Sequence, residues 1–271
     1  MLRAALAPVL ATAFVTVTPI GAAGAGEQDD LALIASSGDE LAKSRSAKFR
    51  GTTSSPSGGA ASEVTFNGAF NFESRTGEYT VDAESLGLQG NGKVRALLVG
   101  GGLYLSLDDA LDAGVPSPEL EGKKWLKLDP ALFGDQIGQS DPNRSLDALR
   151  GAARDVQKVG ADKIRGTRTT HFRVTIDVEQ AVASAPEGEQ EQVRSSIAAL
   201  GSGTIPADVW IDSKGRLRRI RLRVGGSATL GGSVGFEYFD LGARVNVKAP
   251  PAGEVVDFLE ILGGATTTPA T

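Results

Sequence analysis

The sequence predicts an α+β fold, a curved antiparallel half-open β-barrel with helices across the concave face. Two observations support this prediction. Segments of alternating apolar and polar residues follow one another through short turns, which is typical of antiparallel sheets. Segments with the apolar stripe of a helix are too few to cover about ten strands on both faces. Complete closure into a barrel would also bury the apolar face, but a sheet wrapped around two or three helices fits the pattern better.

Alternation defines the long strands. In EVTFNGAFNFE, the apolar residues Val64 and Phe66 share a face with Phe70 and Phe72. In RGTRTTHFRVTID, alternation puts His171 on the face opposite Phe172. The glycines of KVRALLVGGGLYLSL separate two strands. In IPADVWIDSKGRLRRIRLRV, aspartate first and glycine fourth in DSKG indicate a type I turn inside a hairpin.

Three segments have helical apolar patterns. DDLALIASSGDELAKSRSAKF is predicted as an amphipathic helix with Asp29 or Asp30 as N-cap. In residues 177–201, Asp177 is the expected cap, with Gln180 as its capping-box partner, and Pro186 suits the first turn of a second helix. The C-terminal segment GEVVDFLEILGG is predicted as a further helix. The stripes of the last two segments are Val193, Ile197 and Leu200, and Val255, Phe258, Leu259 and Leu262.

The N-terminal residues differ from the rest. A positive MLR, an apolar run of small residues and an Ala-Gly-Ala site at residues 23–25 indicate a secretory signal peptide. An uncleaved anchor is the alternative, although prolines and threonines interrupt the run. We therefore expect a signal peptide at residues 1–25, a single ligand-binding domain at 26–262 and a flexible tail at 263–271. The mature protein is expected to be exported, either secreted or in the cell envelope.

Composition excludes several classes of function. The chain has 28 Lys and Arg against 33 Asp and Glu, for a net charge of -5, which argues against nonspecific nucleic-acid binding. The absence of cysteine excludes disulfides, thiolate catalysis and cysteine-ligated metals. No cysteine is therefore available for lipidation after the signal peptide. We expect no metal and no cofactor.

The sequence offers little support for a catalytic site. His171, the single histidine, has polar neighbours on its strand face, so we expect it to point to solvent and to be dispensable. Ser233 lies in a Gly-x-Ser-x-Gly sequence, but a strand-like stretch follows it and the histidine lies upstream, unlike the order in α/β-hydrolases. The glycine-rich stretches lack the Gly-Lys-Ser/Thr of a phosphate-binding loop. The sequence thus predicts a protein that is not an enzyme.

Two features favour binding. Arg219, Arg221 and Arg223 share one strand face, which is either an ordinary solvated face or a contact for an anionic membrane surface. The aromatic and aliphatic strand faces are either ordinary core or the lining of a cavity for an apolar ligand.

VGADKIRGTRTTHFRVTID, followed by a helical insert and IPADVWIDSKGRLRRIRLRV, resembles the second half of the mycobacterial LppX/LprG lipoprotein family. GGGLYLSL followed by KKWLKLD resembles the aromatic-containing strand pair of that family. The resemblance covers roughly residues 31–262 and implies the fold of the lipoprotein carriers LolA and LolB. The family's lipidated cysteine is missing here, which leaves open a soluble shuttle or an altered start site.

The resemblance implies a non-catalytic lipid or apolar-ligand carrier of the envelope, with an acylated lipid as ligand. The cavity wall maps onto Phe66, Phe70, Phe72, Phe172, Val174, Ile176, Val193, Ile197 and Leu200. The alternative is a structural or sensory envelope protein with the same fold and a filled core, which binds a protein partner.

Overall fold

The computed structural model describes part of the chain. The described residues are 25–57, 60–83, 92–112, 122–128, 152–184, 187–188, 190–191, 194, 203–224 and 232–258. The predicted signal peptide, the tail, Pro186 and the apolar stripe of Val193, Ile197 and Leu200 lie outside these residues.

Twelve strands of the described residues form one sheet. They are β1 (Ser46–Ser57), β2 (Ala60–Asn71), β3 (Thr76–Asp82), β4 (Lys93–Val99), β5 (Gly102–Ser106), β6 (Trp125–Leu128), β7 (Ala153–Ile164), β8 (Thr167–Asp177), β9 (Thr204–Asp212), β10 (Leu217–Val224), β11 (Gly232–Phe239) and β12 (Val255–Asp257). Their order is β12-β6-β5-β4-β3-β2-β1-β11-β10-β9-β8-β7. The strand-rich α+β class is confirmed, and the sheet is open, not closed into a barrel.

Helices are few among the described residues. Those whose bounds lie within the described residues are α1 (Ala25–Ala42), α2 (Leu107–Asp112), α3 (Val178–Ala183) and a 3-10 turn (Ala252–Glu254). The predicted start of the first helix at Asp29 or Asp30 is wrong, because α1 already begins at Ala25. Its predicted end is also too late, because Ser46 belongs to β1. α1 packs on β7, β9 and β10 and buries Ile34 and Leu41 completely.

The C-terminal segment departs from the prediction. Val255–Asp257 is a strand, β12, and not part of a helix. β12 pairs in parallel with β6, whereas the other described pairings are antiparallel. The backbone amide of Lys124 donates to the Glu254 carbonyl at 2.8 Å, which aligns the two segments. A short parallel edge strand thus replaces the expected helical start.

The two faces of the sheet differ sharply in polarity. The apolar face carries Phe49, Phe66, Phe172, Val209, Ile220 and Phe236, all buried in one core cluster with residues of α1. The polar face carries His171, Asp208, Trp210, Arg219, Arg221 and Glu237, which neighbour one another across β8 to β11. The alternation predicted from the sequence therefore separates a core from a charged surface.

One glycine lets the aromatic core close. Gly51 pairs with Phe66 between β1 and β2. A Cβ atom at Gly51 would lie 2.0 Å from Phe66 Cε2, so no larger residue fits without displacing the ring. The Phe66 ring occupies the space that the missing side chain leaves, and packs 5.7 Å from Phe236 between ring centroids.

Candidate functional site

The predicted wall residues that the structure describes lie together on the apolar face. Phe66, Phe70, Phe72, Phe172, Val174 and Ile176 are each at most 9% exposed and belong to one cluster. Phe66 and Phe70 belong to β2, and Phe72 directly follows that strand. The other three belong to β8. Val193, Ile197 and Leu200 lie outside the described residues. That these residues line a ligand cavity stays a prediction.

Aromatic rings fill part of this face. The Phe49 and Phe66 rings meet edge to face at 6.2 Å, and Phe70 meets Phe72 at 5.6 Å. Tyr79 packs 5.9 Å from Phe66. Such edge and tilted arrangements are those that aromatic quadrupoles favour. The region around β1, β2 and β3 is therefore a packed aromatic core.

His171 lies on the polar face, as alternation predicts, but it is not freely solvated. Its ring stacks on Trp210 at 4.3 Å with an interplanar angle of 4°, and Nε2 lies 2.8 Å from Asp208 Oδ1. Only 16% of its side chain is exposed. The expectation that His171 simply points to solvent is wrong, because two residues of the neighbouring strand β9 enclose it.

Two largely buried carboxylates organise the polar face. Asp208 bonds His171 and Arg223, and Glu237 bonds Arg165 and Arg219. Burial opposes ionisation of both carboxyls, but hydrogen bonds from these partners keep the pKa of Asp208 and that of Glu237 below their ordinary values. Both groups are thus held as carboxylates.

A bulge adds a buried arginine to this surface. The register between β9 and β10 shifts between Leu217 and Arg219, and Arg218 lies in the shift. Arg218 is 8% exposed, and its guanidinium donates to Thr167 Oγ1 at 3.1 Å. Burial lowers the pKa of Arg218, against the attraction of Asp212. Its Nε has no hydrogen-bond partner in the described structure.

Two adjoining clefts open on the polar face. One, of about 700 Å³, is lined by Ser54, Arg173, Asp208, Arg221, Arg223, Gly232 and Ser233. The other, of about 540 Å³, extends towards β1 and β2 past Arg50 and Glu237. Both share Ser54, Arg221 and Ser233. Sequence reasoning found the arginine row but missed these clefts, because they depend on β1 lying beside β11.

The serine motif has no catalytic geometry. Ser233 lies within strand β11 and its hydroxyl is 2.9 Å from the Ser54 hydroxyl. Nε2 of His171 contacts Asp208 and not a serine. The described residues also contain no group of three His, Cys, Asp or Glu side chains placed to hold a metal ion. None of the helices in the described part of the chain is long and apolar enough to span a membrane.

The sequence profile of the LppX_LprAFG lipoprotein family matches residues 104–247, more than half of the chain. The chain therefore belongs to this family, which confirms the resemblance seen in the sequence. The match runs from within β5 to beyond β11 and so includes both arginine-lined clefts in part.

Two curated relatives come from Streptomyces. An uncharacterised 31.2 kDa protein in the rplA-rplJ intergenic region of Streptomyces griseus is 32% identical over 193 residues, which is 65% of this chain and 61% of the relative. The putative lipoprotein SCO4650 of Streptomyces coelicolor is 29% identical over 132 residues, 49% of this chain and 38% of the relative. The chain thus spans less than two thirds of either relative.

Two solved structures are similar in fold. Lipoprotein LppX of Mycobacterium tuberculosis aligns with a TM-score of 0.52 at 16% identity, over 82% of this chain and 100% of that one. LprF of Mycobacterium bovis aligns with a TM-score of 0.46 at 16% identity, over 82% of this chain and 97% of that one. At this identity the likeness to LppX shows the fold alone.

Proposed function

We propose that the protein binds or carries an acylated lipid or another apolar ligand in the cell envelope and has no catalytic activity. The observation that carries this proposal is the continuous apolar face on which Phe172, Val174 and Ile176 of β8 face the same core as Phe66 of β2. Membership of the LppX_LprAFG lipoprotein family supports it. Apolar and aromatic linings are the usual walls of pockets for apolar ligands.

Export is part of the same proposal. A signal peptide ending near Ala25 would deliver the mature chain across the cytoplasmic membrane. Contact with an anionic membrane through Arg219, Arg221 and Arg223 would bring the carrier to its lipid source. Of these three, Arg219 and Arg223 already pair with Glu237 and Asp208. Arg221 is the arginine whose charge is most accessible to a partner.

One observation favours the second candidate, a structural or sensory envelope protein with a filled core. Phe49, Phe66, Tyr79 and Phe236 pack ring against ring on the apolar face. If such packing continued beneath the predicted covering helix, no space for a ligand would remain. The two candidates therefore differ in the volume next to Ile197.

A tryptophan at Ile197 separates the two candidates. In a carrier, Ile197→Trp fills the cavity, so the fold survives and less lipid copurifies. In a filled core, the same change overpacks the interior and destabilises it by about 1–3 kcal/mol. Thermal unfolding and lipid extraction on this variant and on the unchanged protein measure both effects. A destabilised variant whose parent never carried lipid contradicts the carrier proposal.

A further inference from the structure

The two clefts on the polar face combine into one positively charged surface. Five arginines and three carboxylates line them together. The arginines are Arg50, Arg173, Arg219, Arg221 and Arg223, and the carboxylates are Glu63, Asp208 and Glu237. This excess of positive charge stands in a chain whose net charge is -5. A local surplus of this sign attracts anions.

Most of the charged side chains on this surface already form ion pairs. Asp208 pairs with His171, Arg173 and Arg223. Glu237 pairs with Arg165 and Arg219. These pairs hold the paired guanidinium groups against the sheet and leave their carboxylates with little capacity to neutralise another cation.

Arg221 differs from its neighbours on β10. It is exposed and lines both clefts, and no carboxylate of the described residues lies within ion-pair distance of it. Arg50 of β1, on the wall of the smaller cleft, likewise has no ion-pair partner among the described residues. The guanidinium groups of these two arginines, which have no ion-pair partner among the described residues, therefore line the same cleft.

Arg221 has no side chain directly opposite it on β11. Its register partner on β11 is Gly235, which carries no side chain. A Cβ atom there would lie 3.1 Å from Thr52 Oγ1, so this position is closely bounded by β1. The hydroxyls of Ser54 and Ser233 lie 2.9 Å apart at the shared wall of the clefts. Hydroxyl donors and a fork of guanidinium N–H groups are the partners that phosphate oxygens prefer.

We propose that this cleft binds a phosphate-type oxyanion, with Arg221 as its main contact, Arg50 as a second cation and one hydroxyl of the Ser54–Ser233 pair as a donor. A guanidinium recognises a phosphate through two parallel hydrogen bonds, which a row of paired arginines cannot offer. The oxyanion is either a soluble phosphate ester or the phosphate of a lipid headgroup. The site lies on the face opposite the apolar core, so it stands or falls independently of the apolar ligand.

Titration with two soluble probes tests the site. Inorganic phosphate and glycerol 1-phosphate are titrated calorimetrically into the unchanged protein, Arg221→Gln and the control Arg168→Gln. Arg168 is an exposed arginine of β8 that lines neither cleft. Loss of a charge-assisted pair should weaken binding about tenfold or more in Arg221→Gln, and less than twofold in Arg168→Gln. Both variants remove one positive charge, so a difference between them reports the site and not the net charge.

Vesicles distinguish the source of the phosphate. Cosedimentation with vesicles of phosphatidylglycerol, against vesicles of phosphatidylcholine alone, is measured for the same three proteins. Binding of the soluble probes, with loss in Arg221→Gln, supports a soluble ester as ligand. Loss of phosphatidylglycerol binding in Arg221→Gln without soluble-probe binding supports a headgroup at a membrane surface. The proposal is overturned if the unchanged protein binds neither kind of probe, or if the two variants weaken binding equally.

Discussion

Trp210 lies on the polar face of the sheet and is nevertheless only 7% exposed. His171 covers one side of its ring, Arg219 lies over it at 5.3 Å, and the indole Nε1 donates to Asp162 at 2.8 Å. A large aromatic ring with its polar atom satisfied can be buried on a charged surface at little cost. Strands β7 to β10 are thus tied together by polar side chains on the face away from the core.

The role of His171 shows where residue-level prediction from the sequence ends. Alternation within β8 assigns its face correctly, because that pattern is local. Its partners Asp208 and Trp210 lie on β9, separated from His171 by a helical segment. Only the pairing register brings His171 opposite Trp210. A local pattern could not show this contact.

We now expect His171→Ala to destabilise the protein by about 1–2 kcal/mol, more than a solvent-facing residue would. The change removes a hydrogen bond to a buried carboxylate and a stacked ring. Arg173→Ala is the matched control, since Arg173 is on the same face of β8 but 57% exposed, and should cost less than about 0.5 kcal/mol. Urea unfolding of both variants measures the difference. Equal losses of stability in the two variants would show that His171 behaves as a solvated side chain.

At the scale of elements, the C-terminal segment shows how tertiary pairing overrides a helical pattern. Val255, Phe258, Leu259 and Leu262 have helical spacing, which predicts a helix. The structure uses Val255–Asp257 as a strand instead, because β6 offers a free edge. The β-branched Val255 and Val256 are good strand residues, and Val256 is buried there. The backbone of β6 provides the partners that favour a strand here, and a distant partner cannot be read from the local sequence.

Capping was predicted with more success. The Asp177 side chain accepts a hydrogen bond from the Gln180 amide at 3.0 Å, which confirms the cap. The reciprocal capping-box bond from Gln180 is wrong, because the Asp177 amide donates to the Ala152 carbonyl instead. The hairpin turn at DSKG is also closed, because the Gly215 amide donates to the Asp212 carbonyl at 3.0 Å. These signals are short-range, which is why the sequence alone identifies them.

The cap gives a prediction for α3. Asp177→Ala should cost about 1 kcal/mol, because it leaves the Gln180 amide without its acceptor. Asp177→Asn keeps a side-chain oxygen at the same place and loses only the charge that faces Arg154 at 3.1 Å, so it should cost less. Chemical unfolding of the pair gives the comparison. An equal loss for the two variants would show that the ion pair, and not the cap, stabilises this junction.

At the scale of the whole molecule, the sequence predicts the main division of the fold. Alternating strands give an open sheet with an apolar and a polar face, and the family resemblance gives its class. The order of the strands could not be read in the same way. β1 lies beside β11, from the other end of the domain, and this pairing places Ser54 next to Ser233. The clefts follow from that long-range pairing, so their residues were not predicted as a group.

The polar face should make the protein sensitive to acid. The carboxyls of Asp208 and Asp212 are buried and that of Glu237 is largely so, yet hydrogen bonds from arginines and other partners hold their pKa values below the ordinary values. Their stabilising contribution is complete above the ordinary carboxyl pKa of about 4 and is lost as the pH falls through the lowered values. We therefore expect the thermal midpoint to decrease as the pH is lowered from about 5 to about 2.

Removing one of these carboxyls should flatten that dependence. In Asp208→Asn, residue 208 takes up no proton on unfolding. The stability of this variant should therefore change less steeply with pH than that of the unchanged protein. Glu179→Gln, at an exposed position of α3, is the control. Thermal unfolding across the same pH range reports the slopes. Identical slopes for all three proteins would assign the acid sensitivity to other groups.

If the protein carries an apolar ligand, that ligand should copurify with it. The protein is purified from its native host without detergent, extracted with organic solvent, and the extract is analysed by mass spectrometry against a mock purification. We predict acylated lipid in near-stoichiometric amount with the protein and absent from the mock sample. Protein that is folded and homogeneous but yields no apolar compound above the mock level would contradict the claim and favour the filled-core alternative.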